Sequence, residues 1–525
     1  MPSNNSLIIA IDLGTTGPKV ALFTARGELL GYEFEPTPYY LLPNGGAEQK
    51  PDEWWQAICN ATRRLLGRGL APPDQVAALC CTTQWSGTVA VDRDGAPLMN
   101  AVIWMDSRGA PYVQRLTHGP LSVQGYGIDK LITWIRLTGG IPSHVGKDSI
   151  AHILFIKHEH PEIYRQTDKF LEPKDYLNLR LTGVCAASYD SITLHWVTDN
   201  RDLSHIDYSP ELLRLATLER KKLPDLMPPL TVLGTLTKSA AEDLGLHTGV
   251  QVVIGTPDVP SAALGSGAVR DFEAHLYIGT SSWIACHVPF KKTDLLHNIA
   301  SLPSAIPGKY LLSNEQQTAG ACLSFLRDNI LYHQDELLNE AGVPDVYKIF
   351  DQIAARAPAG SGGLIFTPWL YGERTPSDDR NVRGGLFNLS LQSTREHIIR
   401  AVMEGVAYNT RWLFGYVEKF VRRRLESLNA IGGGASSDIW CQILADVLDR
   451  EICQMKDPIL ANARGAGCLA SLALGYMNFD EISDGAQIKR RYAPNQENKQ
   501  VYDAMFREFF QIYQRTKPIH ARLNG

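Results

Sequence analysis

The chain has 525 residues, more than a single hydrophobic core ordinarily serves, so two large domains are expected. Its 44% hydrophobic and 20% charged residues are ordinary for a globular protein and exclude a disordered, fibrous or membrane-embedded chain. The formal net charge of −5 and the lack of a large basic stripe argue against binding to nucleic acid.

The cysteine pattern and the first residues predict a cytoplasmic location. The nine cysteines are scattered without a C-x-x-C pair, which predicts reduced thiols rather than a disulfide framework or a zinc site. The apolar run at residues 7–11 is short, follows no basic residue and ends at Asp12, unlike a secretion signal. No run approaches the ~18 apolar residues that span a membrane, so no membrane partner is expected.

The first predicted element is a hairpin with a polar tip. Residues 7–11 read as a buried strand, residues 12–17 as a tight turn and residues 20–23 as a second strand. Half a chain length later, residues 274–288 repeat the order of strand, glycine-hydroxyl turn and strand. This repetition predicts two similar lobes, residues 1–267 and residues 268–525.

The remaining elements mix strands and helices. An apolar strand at residues 250–254 runs into Asp258 just before the predicted boundary, and residues 224–229 and 357–363 read as loops. Helical periodicity is clearest in four segments, residues 396–425, 438–448, 465–476 and 501–513. We therefore predict an α/β protein whose sheets carry helices on their faces.

The first turn has the residue types of a phosphate site. Gly14 lets the backbone approach a ligand, successive N–H groups form an anion-holding concavity, and the hydroxyls of Thr15 and Thr16 can donate to phosphate oxygens. Lys19 is near enough to add positive charge. An ordinary hairpin turn uses the same residues, so this turn alone leaves both interpretations open.

Two later glycine segments favour the phosphate interpretation. The second turn, which contains Gly279 and Thr280, occupies the equivalent place in the second half, where two turns can clamp a polyphosphate from both sides. The segment at residues 431–437, with Gly433 and Ser437, lies between a predicted strand and a helix, a context that suits a nucleotide.

Two aspartates stand at predicted strand ends and are candidates for acid chemistry. Asp12 borders the first turn and is predicted to orient Mg²⁺ through water, and Asp258 is positioned to accept a hydroxyl proton. Either residue can instead be a turn-initiating aspartate.

Other candidate motifs carry less information. The Gly-Lys-Asp at residues 146–148 lacks the remainder of a P-loop and is interpreted as a chance match. Trp85, Trp104 and Trp369 are each more typical of a core residue than of a ligand wall, although the position of Trp85 favours the latter.

Taken together, the motifs resemble those of the FGGY carbohydrate kinases, and especially the xylulokinase branch, along nearly the whole chain. The resemblance rests on IDLGTTGPKV, QWSGTVAVD, AVIWMDSRG, HEHPEIYRQTDKFLEPKDYLNLRLTG, GTPDVPSAALGSG, YIGTSS, LYGERTP and IGGGASSDIWCQILADVL. It implies two actin-like ATPase (ribonuclease H-like) lobes flanking a deep active-site cleft. Residues 1–267 would bind the sugar, and residues 268–525 would bind ATP with Mg²⁺.

The resemblance also implies roles for individual residues. Asp258 matches the catalytic base, which also contacts the sugar, and Asp12 matches the metal-associated aspartate. The matched phosphate-side and nucleotide-side positions are Thr15, Thr16, Thr280, Gly320, Gly433 and Ser437. The matched sugar positions are Trp85, Ser86 and Asp106.

Two departures from the family pattern fall on the sugar side. Xylulokinases usually show Gln-Met-His-Gly and Asp-Asn, whereas this chain has Ser86 in place of the histidine and Val259 in place of the asparagine. Loss of two polar contacts is expected to alter substrate choice and to leave the phosphoryl-transfer residues in place.

The predicted function is transfer of the ATP γ-phosphoryl group to a hydroxyl of a small sugar, with a ketopentose such as xylulose as the first choice. The alternatives are a kinase for another polyol, an aldonate or a signalling furanone, and a non-catalytic ATP-dependent sugar sensor. The sequence leaves the oligomeric state open, with a homodimer as one option.

Overall fold

Strands and helices alternate through both halves of this computed structural model, which describes residues 6–331 and 345–525. The strands of the first half are β1 (Leu7–Gly14), β2 (Gly17–Thr24), β3 (Leu29–Phe34), β4 (Tyr40–Leu42), β5 (Gly46–Gln49), β6 (Val76–Thr83), β7 (Val89–Val91), β8 (Ala101–Val102), β9 (Ser122–Val123), β10 (Tyr126–Gly127), β11 (Lys169–Leu171), β12 (Ala186–Ser188), β13 (Thr198–Asp199), β14 (Asp207–Tyr208), β15 (Asp225–Met227), β16 (Val232–Thr235) and β17 (Gln251–Val253). The strands of the second half are β18 (Ala274–Ile278), β19 (Ser282–Val288), β20 (Thr293–Asp294), β21 (Ile299–Pro303), β22 (Tyr310–Ser313), β23 (Ile365–Thr367), β24 (Gly385–Phe387), β25 (Ser427–Ile431), β26 (Glu451–Met455) and β27 (Ile488–Tyr492).

The helices cover the faces of the sheets. They are α1 (Pro51–Gly67), α2 (Ala110–Thr117), α3 (Ile128–Thr138), α4 (Ser149–Glu159), α5 (Pro161–Gln166), α6 (Pro173–Thr182), α7 (Pro210–Ala216), α8 (Lys238–Leu244), α9 (Asp258–Gly265), α10 (Gly320–Asn329), α11 (Val346–Ala354), α12 (Arg395–Val421), α13 (Asp438–Leu448), α14 (Ala461–Ala473), α15 (Phe479–Asp484) and α16 (Lys499–Asn524). No helix in the two described ranges is both long enough and apolar enough to cross a membrane.

One large sheet in each half repeats the same arrangement of strands. The first sheet has the order β3-β2-β1-β6-β17-β16, and the second contains the order β22-β19-β18-β25-β26-β27. In both, the pairings along this order are antiparallel, antiparallel, parallel, parallel and antiparallel. The predicted duplication is therefore confirmed, down to strand direction.

The predicted hairpins are present in both halves. β1 pairs with β2 from Leu7 opposite Thr24 to Gly14 opposite Gly17, so the hairpin turn is Thr15-Thr16. β18 pairs with β19 in the same way, and the second turn follows β18. β1 is buried on both faces because helices cover both sides of the sheet, which explains its unbroken apolar run.

Helices α9 and α14 cross at the centre of the molecule. Each follows the equivalent strand of its own sheet, and a glycine of each lies against the backbone of the other: Gly265 against Ala461, and Gly465 against Ser261. A Cβ atom on either glycine would overlap a carbonyl oxygen of the other helix. Small residues are thus required for this close crossing.

The core of the first sheet includes side chains from the second half. Ala463, Ala466 and Leu469 of α14 pack in one buried cluster with Ile8 and Phe23. The predicted boundary near residue 267 falls between α9 and β18, and it remains a prediction.

The helix predictions are confirmed in position and differ at the ends. α13 spans the predicted residues, whereas α12 ends at Val421, where Arg422 adopts a left-handed conformation at φ 56°. α14 begins four residues before its predicted start, because the small residues there pack against α9. The prediction of a loop at residues 224–229 is wrong in part, since β15 pairs with β12 there.

Candidate active site

A cleft of about 820 Å³ lies between the two large sheets. Its walls come from both halves: the turn after β1, the segment after β6 and the start of α9 face the turn after β18 and residues 313–315. A second cavity of about 190 Å³ adjoins it, and both are lined by Asp12, Lys19, Tyr277 and Asn462.

Most of the predicted site residues meet in these two cavities. Those that line the main cleft are Asp12, Gly14, Thr15, Thr16, Lys19, Trp85, Ser86, Asp258 and Thr280. Gly433 lines the second cavity. Gly279, Gly320, Ser437 and Asp106 line neither of them.

Asp258 is the first residue of α9 and is partly buried in the cleft wall. Its Oδ1 accepts a hydrogen bond from the Val259 backbone N–H at 2.8 Å. Burial, followed by the charge of Asp12, raises the pKa of Asp258 to about 8. A carboxyl group with such a pKa can take up a proton near neutral pH.

Asp12 lies near the end of β1 with only 2% of its surface exposed. Its Oδ2 is 3.4 Å from the Lys19 Nζ, and its Oδ1 is buried without a hydrogen-bond partner among the described residues. No group of three or more potential metal ligands occurs in the described ranges. One free carboxylate oxygen fits Mg²⁺, which usually takes one or two carboxylates and completes its shell with water and phosphate oxygens.

The two threonines of the first turn differ in their contacts. The Thr15 hydroxyl donates to Gln84 Oε1 at 2.9 Å and accepts from Trp104 Nε1 at 2.9 Å, so its proton is already used. The Thr16 side chain is exposed in the cleft. The prediction that both hydroxyls donate to phosphate therefore fits Thr16, while Thr15 offers only its backbone N–H.

The second turn is supported by α10. The Gly320 backbone N–H donates to the Gly279 carbonyl at 2.8 Å, and the Ala319 N–H donates to the Thr280 carbonyl at 2.8 Å. A Cβ atom on Gly320 would come within 2.5 Å of the Gly279 oxygen. Gly279 and Gly320 thus shape the turn from behind, and the exposed Thr280 faces the cleft.

The glycine segment after β25 separates into an open part and a capping part. The space beside Gly433 is free for 4 Å around an added Cβ atom, which leaves its backbone accessible to a ligand. Ser437 instead caps α13: its hydroxyl accepts from the Trp440 N–H at 3.1 Å and donates to Asp351 Oδ1 at 2.7 Å. Both functions of the Ser437 hydroxyl are therefore already used, and the nucleotide-side role of this position remains a prediction for its other atoms.

Asp106 is fully buried outside the cleft. One carboxylate oxygen accepts from the Ala47 N–H at 2.8 Å and pairs with Arg108, whose side chain also reaches Glu48 at 2.6 Å. The predicted sugar contact of Asp106 is not supported here, because this ion pair holds the strand β5 against the segment after β8.

Several cleft residues were missed by the sequence analysis. Lys147 and Asp148, from the segment interpreted as a chance match, line the cleft together with Trp104, Glu315 and Arg374. Arg374 Nη1 lies 2.7 Å from Glu315 and its Nη2 lies 3.9 Å from Asp148, so it bridges the two halves. Trp369 is a core residue with no exposed surface, as expected. The sequence signal for a ligand site here was the glycine that directly precedes Lys147.

The site combines the parts that a phosphoryl transfer needs. Asp258 can accept a proton, Asp12 has a free oxygen for a metal, and two turns from opposite lobes expose hydroxyl and backbone donors toward one cleft. Such a reaction relies mainly on positioning and on charge stabilisation.

The comparisons with known proteins agree with this geometry. Residues 7–265 match the N-terminal domain of the FGGY family of carbohydrate kinases, and residues 275–474 match its C-terminal domain. The chain is 29% identical to a xylulose kinase of Staphylococcus epidermidis, with 98% of each chain covered. It is 27% identical to a gluconokinase of Bacillus subtilis, with 97% of this chain and 95% of the relative covered.

The fold is similar to that of a solved gluconate kinase from Lactobacillus acidophilus. The TM-score is 0.84 at 24% identity, and 99% of this chain and 100% of that chain are covered. This likeness confirms the predicted α/β fold with two actin-like lobes. The chain belongs to the FGGY family of carbohydrate kinases, in a xylulokinase-like branch, and it is a carbohydrate kinase.

Proposed function

We propose that the chain transfers the γ-phosphoryl group of ATP to a hydroxyl of a small polyhydroxylated acceptor, with Asp258 as the general base. The observation that carries this proposal is the single cleft that Asp258 shares with Asp12 and both hydroxyl-bearing turns, where burial raises the pKa of Asp258 to about 8. The acceptor hydroxyl loses its proton to Asp258 as its oxygen bonds to the γ-phosphorus. The bond from that phosphorus to the bridging oxygen breaks, and ADP leaves.

The nucleotide is assigned to the side of the cleft that continues into the second cavity. Thr16 and Thr280 expose their side chains in the main cleft, and Gly433 lines the second cavity with open backbone. Mg²⁺ held through the free Oδ1 of Asp12 would neutralise phosphate charge. Lys19 adds a positive charge beside the same carboxylate.

The acceptor is assigned to the side of the cleft that contains Asp258, Trp85 and Ser86. A ketopentose such as xylulose is favoured by the 29% identical xylulose kinase, and an aldonate by the 27% identical gluconokinase. Ser86 and Val259 limit the polar contacts here, because the Ser86 hydroxyl donates to the Lys147 carbonyl at 2.6 Å. A cytoplasmic location remains a prediction, which the nine free cysteines support.

The test is ADP release with MgATP across ketopentoses, pentitols, tetritols, glycerol and aldonates. Asp258→Asn should bind ATP normally and lose turnover by about 10²–10⁴-fold, the usual contribution of a positioned base. Asp74→Asn, an exposed aspartate away from the cleft, is the matched control and should retain full activity.

Near-normal turnover by Asp258→Asn would remove it from the role of base. ATP binding by the unmodified chain without turnover of any acceptor would favour the alternative of a non-catalytic sensor.

A further inference from the structure

Lys147 carries a nearly buried positive charge in the cleft and has no counterion among residues 6–331 and 345–525. Only 8% of its surface is exposed. Its Nζ lies 5.8 Å from the ring centre of Trp104 and 5.1 Å from that of Tyr371, one ring from each half of the chain. Among the described residues, no carboxylate lies within ion-pair distance of this ammonium group, which is costly for a buried charge.

The acidic groups near Lys147 are bound elsewhere. Asp148 accepts from the Ser143 N–H at 2.7 Å and from Trp196 Nε1 at 2.8 Å, and Glu315 is held by Arg374. Burial lowers the pKa of Lys147 to about 8, with Glu315 opposing and Arg374 adding to the effect. Within the part of the chain that the structure describes, the donors of this ammonium group have no hydrogen-bond acceptor.

One hydrogen bond ties the backbone of Lys147 to the proposed acceptor side of the cleft. The Ser86 hydroxyl donates to the Lys147 carbonyl at 2.6 Å. Trp85, the residue before Ser86, lines the same cleft as Asp258 and Lys147. The backbone of Lys147 is thus held beside the segment assigned to the acceptor, whereas the cavity assigned to the nucleotide is lined by Gly433 and Asn462.

We propose that Lys147 binds a carboxylate of the acceptor, and that the acceptor is an aldonate rather than an uncharged ketose or polyol. The inference rests on the proposed function and names its substrate class. An ammonium group offers three donors to a carboxylate, and the desolvated cleft strengthens the attraction between opposite charges. The carboxylate at Lys147 would leave the acceptor's hydroxyl groups directed toward Asp258.

The experiment compares aldonates with alditols of the same carbon chain, D-gluconate with sorbitol and D-ribonate with ribitol. With the full chain and MgATP, we expect kcat/KM for one aldonate to exceed that of its alditol by about 100-fold or more. Lys147→Met should lower the ratio of the aldonate value to the alditol value by about 100-fold, with KM for ATP unchanged. Lys147→Arg should recover part of the loss, because it keeps the charge.

Lys309→Met, which removes a lysine paired with Asp271 away from the cleft, is the control and should keep the full preference. Thermal unfolding checks that each variant folds, and Lys147→Gln replaces Lys147→Met if the latter does not. Titration calorimetry of the aldonates without nucleotide provides a readout independent of turnover, in which Lys147→Met should abolish the heat of binding.

Three results would overturn the inference. One is equal or better use of alditols or ketopentoses by the unmodified chain, which would leave the proposed kinase function intact. Another is a rise in KM for ATP in Lys147→Met, which would place the lysine on the nucleotide. The third is aldonate binding that does not depend on Lys147. If the unmodified chain turns over none of the acceptors but binds aldonates in a way that depends on Lys147, only the proposed kinase function is contradicted.

Discussion

Asp12 and Asp258 come from different elements, yet the charge of Asp12 affects the ionisation of Asp258. The charge of Asp12 is the second cause, after burial, of the raised pKa of Asp258. A base is active only as the carboxylate, whose fraction increases as the pH rises through the pKa. The proposed chemistry therefore depends on the repulsion between the carboxylates of Asp12 and Asp258, which a metal ion bound at Asp12 would reduce.

We predict that kcat/KM rises as the pH increases through about 8, because deprotonation of Asp258 activates it. In calorimetric or NMR titration of the ligand-free chain, Asp12→Asn should move the ionisation of Asp258 to lower pH, since it removes the repelling charge. Asp74→Asn should leave both measurements unchanged. A kcat/KM that is flat from about pH 6 to about pH 9 would contradict the assignment of the base.

The two threonines of the first turn should respond differently to loss of the hydroxyl. Thr16→Val should raise KM for ATP about tenfold or more, because a hydrogen bond to a charged group contributes about 1.5–3 kcal/mol. Thr15→Val should instead lower the free energy of unfolding by about 1–3 kcal/mol, since Gln84 and Trp104 lose their partner. Each variant is the control for the other in steady-state kinetics and in chemical denaturation. Equal effects in both assays would show that the two side chains are not distinguished by their contacts.

At the scale of elements, the crossing of α9 and α14 links the catalytic aspartate to the second half. α9 begins at Asp258, and Gly465 of α14 lies against the Ser261 backbone one turn later. Displacement of α14 would therefore move the residue that begins α9.

Gly465→Ala should destabilise the protein by about 1–3 kcal/mol, because the added methyl group overlaps the α9 backbone in a packed site. It should also lower kcat by shifting Asp258. Gly415→Ala is the matched control: it lies on an exposed face of α12 with no atom within 4 Å of an added Cβ, and should stabilise by about 0.5–1 kcal/mol. Urea denaturation of both variants measures the difference, and an unchanged midpoint for Gly465→Ala would contradict the tight crossing.

At the scale of the whole molecule, the first large sheet depends on the second half of the chain to cover one of its faces. One face of the first sheet packs against Ala463, Ala466 and Leu469 of α14, which comes late in the chain. The predicted lobe of residues 1–267 would expose this apolar face if it were separated from the rest.

We predict that a fragment of residues 1–267 lacks cooperative thermal unfolding and binds a hydrophobic dye, because its sheet is uncovered on one side. Co-expression with a fragment of residues 268–525 should restore a folded complex, since it supplies α14. Near-ultraviolet circular dichroism and limited proteolysis provide the measurements. A native-like, cooperatively unfolding fragment of residues 1–267 would show that α14 is dispensable for the first sheet.

Local patterns were sufficient for the elements that depend on neighbours in sequence. The two hairpin turns, the duplication and the span of α13 follow from apolar periodicity and from turn residues, which act over a few positions. The placement of Asp12 and Asp258 in one cleft was also foreseeable, because Asp12 lies near the carboxyl end of β1, Asp258 comes after β17, and the carboxyl ends of parallel strands meet at one edge of a sheet.

The sequence by itself thus determined the repeated lobes, the turns and the two aspartates of this carbohydrate kinase. Only the tertiary structure decided which hydroxyls and charges remain free. It tied Thr15 to Gln84, used Ser437 as a helix cap, buried Asp106 against Arg108 and left Lys147 in the cleft with no ion-pair partner among the described residues. The physical reason is that the availability of a polar group depends on its partners. Those partners are brought close by packing between segments that lie far apart in the chain, and periodicity carries no information about them.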